Sequence, residues 1–342
     1  MSASVGGSLA LFLLLLSRDL SPSFGPLATK MVTLSVSEVQ HTSASPDTSP
    51  SVSLASLADL NKESVFRRFN ERKEHLATMC RKVDMRGKIF TKDFMHYNKA
   101  YDLLVCAPPK TGCSSLKHHL LRLAGAPDET DVHSDIARAA ISVRYVLNDS
   151  FKEVLDSPST TRVMVVRHPL ERLVSGYRDK FRDGAPVTID IWSNFLTDYR
   201  SHRGLDTSNM TLTFHQYLEM IAFLMLTRGR NTIDGHFRPA ALVCSPCSVR
   251  YDYILHTDTL TQDLQYIADE LNITGIDTDL RLNANTNRTK VFPYEYYYRD
   301  IPLGLMSKIY ALYREDFLMY NFEVPAFMRN VLHNSNMHFL WR

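Results

Sequence analysis

Two strand–loop–helix units are visible in the alternation of apolar and polar positions. In the first, an apolar run from Tyr101 to Ala107 precedes the loop PPKTGCSS and a leucine-rich helical pattern, LKHHLLRLAG. A short apolar run followed by a Pro/Gly-containing loop and a helical pattern predicts the start of an α/β unit. Gly125 suits the position just past the end of the helix.

The second unit repeats this order about 60 residues later. The run Arg162–Val166 precedes Arg167, His168 and Pro169, and LERLVSGYRDKF follows. Pro169 is compatible with a first helical turn. The positions predicted to share one helix face are Leu170, Leu173, Val174, Tyr177 and Phe181. Buried strands followed by helices predict an α/β protein with a central, mostly parallel sheet flanked by helices, and ligands bind such sheets beyond the carboxyl ends of the strands.

The amino-terminal region has a different pattern. Residues 9–16 read LALFLLLL, which is shorter than the roughly 20 residues needed to span a bilayer. We interpret residues 1–17 as a signal peptide or a short signal-anchor, although no Lys or Arg precedes the apolar run. Residues 18–58 are rich in Ser, Thr and Pro and predict a flexible stem. The folded domain is expected over residues 59–342.

Composition narrows the function classes. The 342 residues are 44% hydrophobic with a formal net charge of +2, so a sizeable core is expected and a general nucleic-acid binder is not. Four N-glycosylation sequons begin at Asn148, Asn209, Asn272 and Asn287 and are consistent with entry into the secretory pathway.

Five cysteines leave at least one thiol free or paired with another chain. A structural zinc site generally needs paired spacings, and Cys244-Ser-Pro-Cys247 has no second CxxC. We therefore predict a disulfide there, either local or to Cys80. Cys106 and Cys113 are interpreted as packing residues.

The loop PPKTGCSS has the chemistry of an anion site. Gly112 lets the backbone approach an anion, Lys110 adds a mobile charge, and Ser114 adds a hydroxyl donor. The pattern is not a Walker A motif, because the lysine precedes the glycine. The alternative is an ordinary turn with a solvated lysine.

Arg167 lies at the end of a predicted strand, and Ser175 follows eight residues later. A guanidinium at a strand end suits a phosphate. The alternative is an ion pair between Arg167 and Glu171, with Ser175 only packing.

Together these segments resemble a known family. APPKTGCSSLKHHL resembles the 5′-phosphosulfate loop, and VVRHPLERLVSGYRDKF the 3′-phosphate motif, of sulfotransferases that use 3′-phosphoadenosine 5′-phosphosulfate (PAPS). The segments HFRPAALVCSPCSVRYDYILHTDTLTQDLQYIADEL and IYALYREDFLMYNFE resemble Golgi carbohydrate sulfotransferases of the chondroitin/dermatan 4-O type. The resemblance extends from about Tyr101 to Glu323. His168 departs from it, because that subgroup usually carries an acid there, which leaves the acceptor sugar open.

The resemblance implies a P-loop-like sulfotransferase fold, PAPS as co-substrate, a glycan or proteoglycan acceptor, and no metal. It implies a Golgi-lumenal protein, secreted or attached to the membrane as a type II protein through its amino terminus. Lys110 would stabilise the oxygen that bridges sulfur and phosphorus, and Arg167 and Ser175 would hold the 3′-phosphate. The 5′-phosphate would be held by Thr111, Gly112, Cys113, Ser114 and Ser115.

Two histidines are candidates for the base that accepts the acceptor hydroxyl's proton. His133 falls between the two phosphate motifs, where related enzymes place their base, and His236 belongs to a His-aromatic pair typical of the subgroup. A structural role for both is the third possibility. The stretch NANTNRTK, residues 283–290, offers Arg288 and Lys290 either to the nucleotide or a glycan, or as a solvated loop.

Two other functions remain open at this point. One is a catalytically silent relative that binds a glycan or a nucleotide. The other is a small-molecule kinase, which the missing Walker A pattern disfavours.

Overall fold

The computed structural model describes residues 54–83, 85, 92–188, 190–280, 282 and 292–329. The predicted signal segment, the stem up to residue 53 and the NANTNRTK loop lie outside the described residues. The first helix begins at Leu54, inside the segment predicted as stem. Helical backbone therefore extends further toward the amino terminus than the apolar pattern indicates.

The central sheet has the order β1-β2-β3-β4 among the described residues. Its strands are β1 (Met95–Asn98), β2 (Leu103–Cys106), β3 (Thr161–Val166) and β4 (Tyr253–His256). Strand β1 pairs antiparallel with β2, whereas β2 with β3 and β3 with β4 are parallel. The prediction of a mostly parallel sheet is confirmed.

Helices cover both faces of this sheet. Within the described residues they are α1 (Leu54–Lys82), α2 (Cys113–Leu123), α3 (Asp135–Ile141), α4 (Val143–Val146), α5 (Phe151–Asp156), α6 (Pro169–Lys180), α7 (Ile191–His202), α8 (Phe214–Arg228), α9 (Ala240–Cys244), α10 (Leu260–Glu270), α11 (Glu295–Tyr298) and α12 (Leu303–Met319). Of these helices, none combines the length and apolar character that a membrane crossing requires.

Alternate residues of the central strands belong to different cores. Leu104 and Met164 pack into one apolar cluster, and Val105 and Val163 pack into another. Because successive side chains of a strand point to opposite faces, both faces must be apolar where both are covered. This explains why β2 and β3 read as continuous apolar runs.

The helix after each of these strands begins where its sequence indicates. Pro169 occupies the first turn of α6, where its missing N–H costs no hydrogen bond. The apolar face predicted for α6 is buried, including Leu170 and Tyr177. Helix α2 ends at Leu123, and Gly125 follows with φ 77°, a conformation that glycine adopts at low cost.

Two disulfides tie the domain together. Cys80 pairs with Cys247, which confirms the second of the two pairings predicted for Cys247. Cys106 pairs with Cys244, so the interpretation of Cys106 as a packing residue is wrong. The two cysteines are 138 positions apart in the sequence, and local sequence patterns do not predict contacts over that separation. Cys113 is the free thiol.

Removing the Cys106–Cys244 bond is expected to lower the free energy of unfolding by about 3.5 kcal/mol, because with Cys80–Cys247 intact it closes a loop of roughly 30 residues in the unfolded chain. The measurement is chemical denaturation of the double variant Cys106→Ala/Cys244→Ala. Cys113→Ala is the matched control, because it removes a thiol without removing a cross-link. Equal stability of the double variant and the control would contradict the prediction.

Candidate functional site

The loop after β2 turns sharply before α2 begins. Pro108 O accepts hydrogen bonds from Thr111 Oγ1 at 2.7 Å and from Thr111 N at 3.3 Å. Lys110 has φ 74° and Gly112 has φ 82°, a region that non-glycine residues seldom occupy. The strained backbone at Lys110 is maintained by its surroundings, as is common at ligand sites.

Helix α2 starts at this turn with its amino end suited to an anion. Among the described residues, no side chain caps the helix at Gly112, and its first turn contains no acidic residue. The positive end of the helix dipole is therefore not neutralised by a carboxylate of that turn. The hydroxyl of Thr111 bonds within the turn, and Ser115 Oγ accepts a bond from Leu282 N at 2.9 Å. The Thr111 hydroxyl therefore donates its hydrogen within the turn, whereas the Ser115 hydroxyl accepts a bond and keeps its own hydrogen for another acceptor.

Arg167 directly follows β3 and contacts the loop after β2. Its Nη1 donates to Lys110 O at 3.3 Å, and its Nε donates to Glu171 Oε2 at 3.3 Å. The ion pair with Glu171 is therefore present, and the same guanidinium also reaches the Lys110 backbone. The two predicted phosphate motifs lie side by side.

The Lys110 side chain reaches the carboxyl-terminal part of α6. Its Nζ lies 3.0 Å from Asp179 Oδ2. Glu171, Ser175 and Asp179 are spaced by four residues and so lie along one face of the helix. Eight residues at 1.5 Å each separate Glu171 from Asp179 by about 12 Å. Arg167 pairs with Glu171 and Lys110 pairs with Asp179. The partly exposed Ser175 thus lies between these two ion pairs.

Asp179 is stabilised as a carboxylate. Burial alone raises its pKa, but Lys110 and Lys180 together hold the pKa below its usual range. Its Oδ2 lies 3.1 Å from Lys180 Nζ as well as 3.0 Å from Lys110 Nζ. One carboxylate oxygen therefore serves two ammonium groups.

His236 is oriented by a neighbouring carboxylate. Its Nδ1 lies 2.7 Å from Asp234 Oδ1, which also accepts the His236 backbone N–H at 2.8 Å. The hydrogen bond assigns the proton to Nδ1 and leaves the Nε2 lone pair available. Burial lowers the pKa of His236, and Asp234 opposes that shift. A neutral, oriented imidazole is the form that a general base requires.

His133 has a different environment. It lies on an exposed loop before α3, and its backbone N–H donates to Asp131 Oδ1 at 2.9 Å. Partial burial lowers the pKa of His133, with further lowering by Lys117 and Lys180. Lys180 likewise lowers the pKa of His236, so the same cation influences both histidines.

Arg172 is a site residue that sequence reasoning missed. It is only 2% exposed. Its guanidinium donates to Pro109 O at 2.9 Å, Gly235 O at 2.6 Å and Arg238 O at 2.6 Å. It therefore ties the loop after β2 to the loop that carries His236. The available signal was an arginine next to the predicted apolar face of α6.

Two further residues, Lys180 and Trp192, also escaped prediction. The Lys180 Nζ lies 5.3 Å from the Trp192 ring centroid. That ring lies 5.0 Å from the His236 ring, edge to face. No signal in the sequence links Trp192 to the phosphate motifs, because it belongs to a different helix. Within the described residues, no group of three or more His, Cys, Asp or Glu side chains is arranged to hold a metal ion.

These features define an α/β protein whose candidate anion-binding groups gather at the carboxyl ends of parallel strands. Residues 93–323 match the model of the Sulfotransferase family. Because the match covers most of the chain, the chain belongs to this family, and the expected sulfotransferase fold is confirmed.

Curated relatives agree with the family. The chain is 24% identical over 282 residues to carbohydrate sulfotransferase 11 of Rattus norvegicus, covering 75% of this chain and 77% of the relative. It is 26% identical over 286 residues to carbohydrate sulfotransferase 10 of Danio rerio, covering 76% of each. Carbohydrate sulfotransferase 8 of Homo sapiens is 26% identical over 246 residues, covering 70% of this chain and 56% of the relative.

The predicted resemblance to carbohydrate sulfotransferases is thus confirmed. The relatives carry several different type numbers, so the comparison does not single out the chondroitin/dermatan 4-O type. No solved structure matches the chain.

Proposed function

We propose that this protein transfers a sulfuryl group from PAPS to a sugar hydroxyl of a glycan and releases 3′,5′-ADP. One observation carries the proposal: Lys110 and Arg167, from the ends of two neighbouring parallel strands, lie against one face of α6, with Arg167 Nη1 3.3 Å from Lys110 O. One donor with phosphates at both ends can engage both cations.

To bind the donor, Arg167 and Lys110 would each leave a carboxylate partner and contact the donor instead. The Arg167 guanidinium would bind the 3′-phosphate in place of the Glu171 carboxylate, and the Ser175 hydroxyl would donate a hydrogen bond to the same phosphate. The backbone N–H groups of Thr111 to Ser115 at the amino end of α2 would hold the 5′-phosphate. Lys110 would turn from Asp179 toward the oxygen that bridges sulfur and phosphorus.

The reaction follows from these positions. The acceptor oxygen attacks sulfur as its proton passes to His236 Nε2, and the bond between sulfur and the bridging oxygen breaks. The electron pair remains on the 5′-phosphate of 3′,5′-ADP, where Lys110 stabilises the charge. We assign the base to His236 rather than His133, because Asp234 orients its ring at 2.7 Å and stabilises the imidazolium that forms.

A glycan acceptor is supported by the names of the relatives, which are carbohydrate sulfotransferases. A Golgi-lumenal location is supported by the two disulfides, since such bonds persist in oxidising compartments. The sequon residues Asn209 and Asn272 are both exposed and available for glycosylation. In this proposal the apolar segment 9–16 directs secretory entry or membrane attachment.

Binding of 3′,5′-ADP tests the donor site. At a hundred times its dissociation constant, 3′,5′-ADP is expected to stabilise the folded protein by about 2.7 kcal/mol, and 5′-ADP and ATP much less, because both lack a 3′-phosphate for Arg167. The measurement is thermal unfolding with each nucleotide, and Arg167→Ala is the matched variant. Stabilisation by ATP alone would contradict the proposal.

Transfer of label from PAPS to a panel of chondroitin, dermatan and terminal-sugar acceptors tests the reaction itself. Nucleotide binding without any transfer would instead identify a catalytically silent relative.

A further inference from the structure

Lys180 is the last residue of α6 and shares a carboxylate with Lys110. Asp179 Oδ2 lies 3.1 Å from Lys180 Nζ and 3.0 Å from Lys110 Nζ. Two ammonium groups on one carboxylate leave a local surplus of positive charge. Such a surplus suits an anionic ligand.

On its other side Lys180 approaches the proposed base. Its Nζ lies 5.3 Å from the Trp192 ring centroid, and the Trp192 ring lies 5.0 Å from that of His236. The Lys180 side chain is 25% exposed, so its ammonium is held in place yet open to a ligand. It thus lies between Lys110 and His236.

The geometry of the proposed reaction indicates what a cation at this position would contact. In an in-line displacement, the attacking oxygen, the sulfur and the leaving oxygen lie on one line, and the remaining oxygens spread around the equator, as in phosphoryl transfer. His236 would stand at the attacking end and Lys110 at the leaving end. A cation located between these two residues faces the equatorial sulfuryl oxygens.

We propose that Lys180 is a further catalytic residue that contacts the sulfuryl oxygens during transfer, and that Asp179 positions both lysines. This inference rests on the proposed function. As the bond to the bridging oxygen breaks, the sulfuryl group passes to the acceptor oxygen, and Lys180 stabilises the negative charge of its oxygens most strongly in the transition state. The base still receives the acceptor proton, so no other reactant is needed.

Kinetics of Lys180→Met test the inference. We expect kcat to fall about a hundredfold or more, the usual effect of removing one charge-stabilising donor. Binding of 3′,5′-ADP is expected to stay within twofold of the wild type, because that nucleotide has no sulfuryl group. Lys180→Arg keeps the charge and is expected to retain more activity. Lys152→Met is the matched control, since Lys152 is 87% exposed and pairs with Asp156 at 2.9 Å.

The pH profile tests whether the Lys180 charge acts on the proposed base. Burial is the main cause of the lowered pKa of His236, and the Lys180 charge lowers it further. Loss of that charge raises the pKa, so the acidic limb of kcat/KM is expected to move to higher pH in Lys180→Met. In Lys180→Arg the limb is expected to stay where it is in the wild type.

The outcomes are distinct. A low kcat with retained 3′,5′-ADP binding and a shifted acidic limb supports the inference. Wild-type kcat in Lys180→Met, or joint loss of transfer and 3′,5′-ADP binding, overturns it while the proposed function stands. If the unmodified protein shows neither PAPS-dependent transfer nor 3′,5′-ADP binding, the proposed function fails and the inference fails with it.

Discussion

Replacing Lys110 with alanine is expected to lower the rate of sulfuryl transfer about a thousandfold, the upper end of the effect of removing one transition-state donor. The proposed role of the ammonium is to stabilise the charge that builds on the bridging oxygen. Folding is expected to survive, because in the free protein the side chain makes an ion pair with the 45%-exposed Asp179, and such pairs contribute little stability.

Single-turnover transfer from labelled PAPS measures this effect, and thermal unfolding reports the fold. Lys152→Ala is the control, because Lys152 also forms a lysine–aspartate ion pair, with Asp156 at 2.9 Å, in an exposed part of α5. Undiminished transfer by a folded Lys110→Ala protein would exclude Lys110 from the chemistry.

Replacing Arg172 with methionine is expected to lower the free energy of unfolding by about 4 kcal/mol, because buried carbonyls are left without their charged hydrogen-bond donor. Three backbone carbonyls lose a bond, those of Pro109, Gly235 and Arg238. The buried carboxyl of Asp316 is affected as well. Burial raises its pKa to about 6, and Arg172 opposes that shift.

Urea unfolding near pH 7 measures the stability loss. Arg67→Met is the control, because Arg67 is 69% exposed and lies 3.8 Å from Glu63, and surface changes usually stay within about 0.5 kcal/mol. Arg172→Lys is expected to be intermediate, since one ammonium cannot reproduce the guanidinium fork. A loss below about 1 kcal/mol in Arg172→Met would show that the loops hold without this residue.

The strands and helices that carry the phosphate motifs were predictable because their signals are local. An apolar run buried on both faces, Pro169 in the first turn and Gly125 past the last one all act through neighbouring backbone. The same holds for the loop of Lys110 and the strand end of Arg167.

The Cys106–Cys244 bond and the contacts of Arg172 were not predictable in this way. Cys106 stands in an apolar strand and looks like any packing residue. Arg172 looks like a solvated helical arginine until its three carbonyl partners are known, and those come from two distant loops.

By itself, the sequence determined the strand–loop–helix units, the parallel character of the sheet and the motifs that mark the family, because periodicity, turn chemistry and motif spacing depend on residues close in the chain. Only the tertiary structure decided which distant side chains meet. It joined Lys110 and Lys180 through Asp179, set Asp234 against His236, and paired Cys106 with Cys244. Such contacts depend on how whole elements pack, and no local pattern specifies that packing.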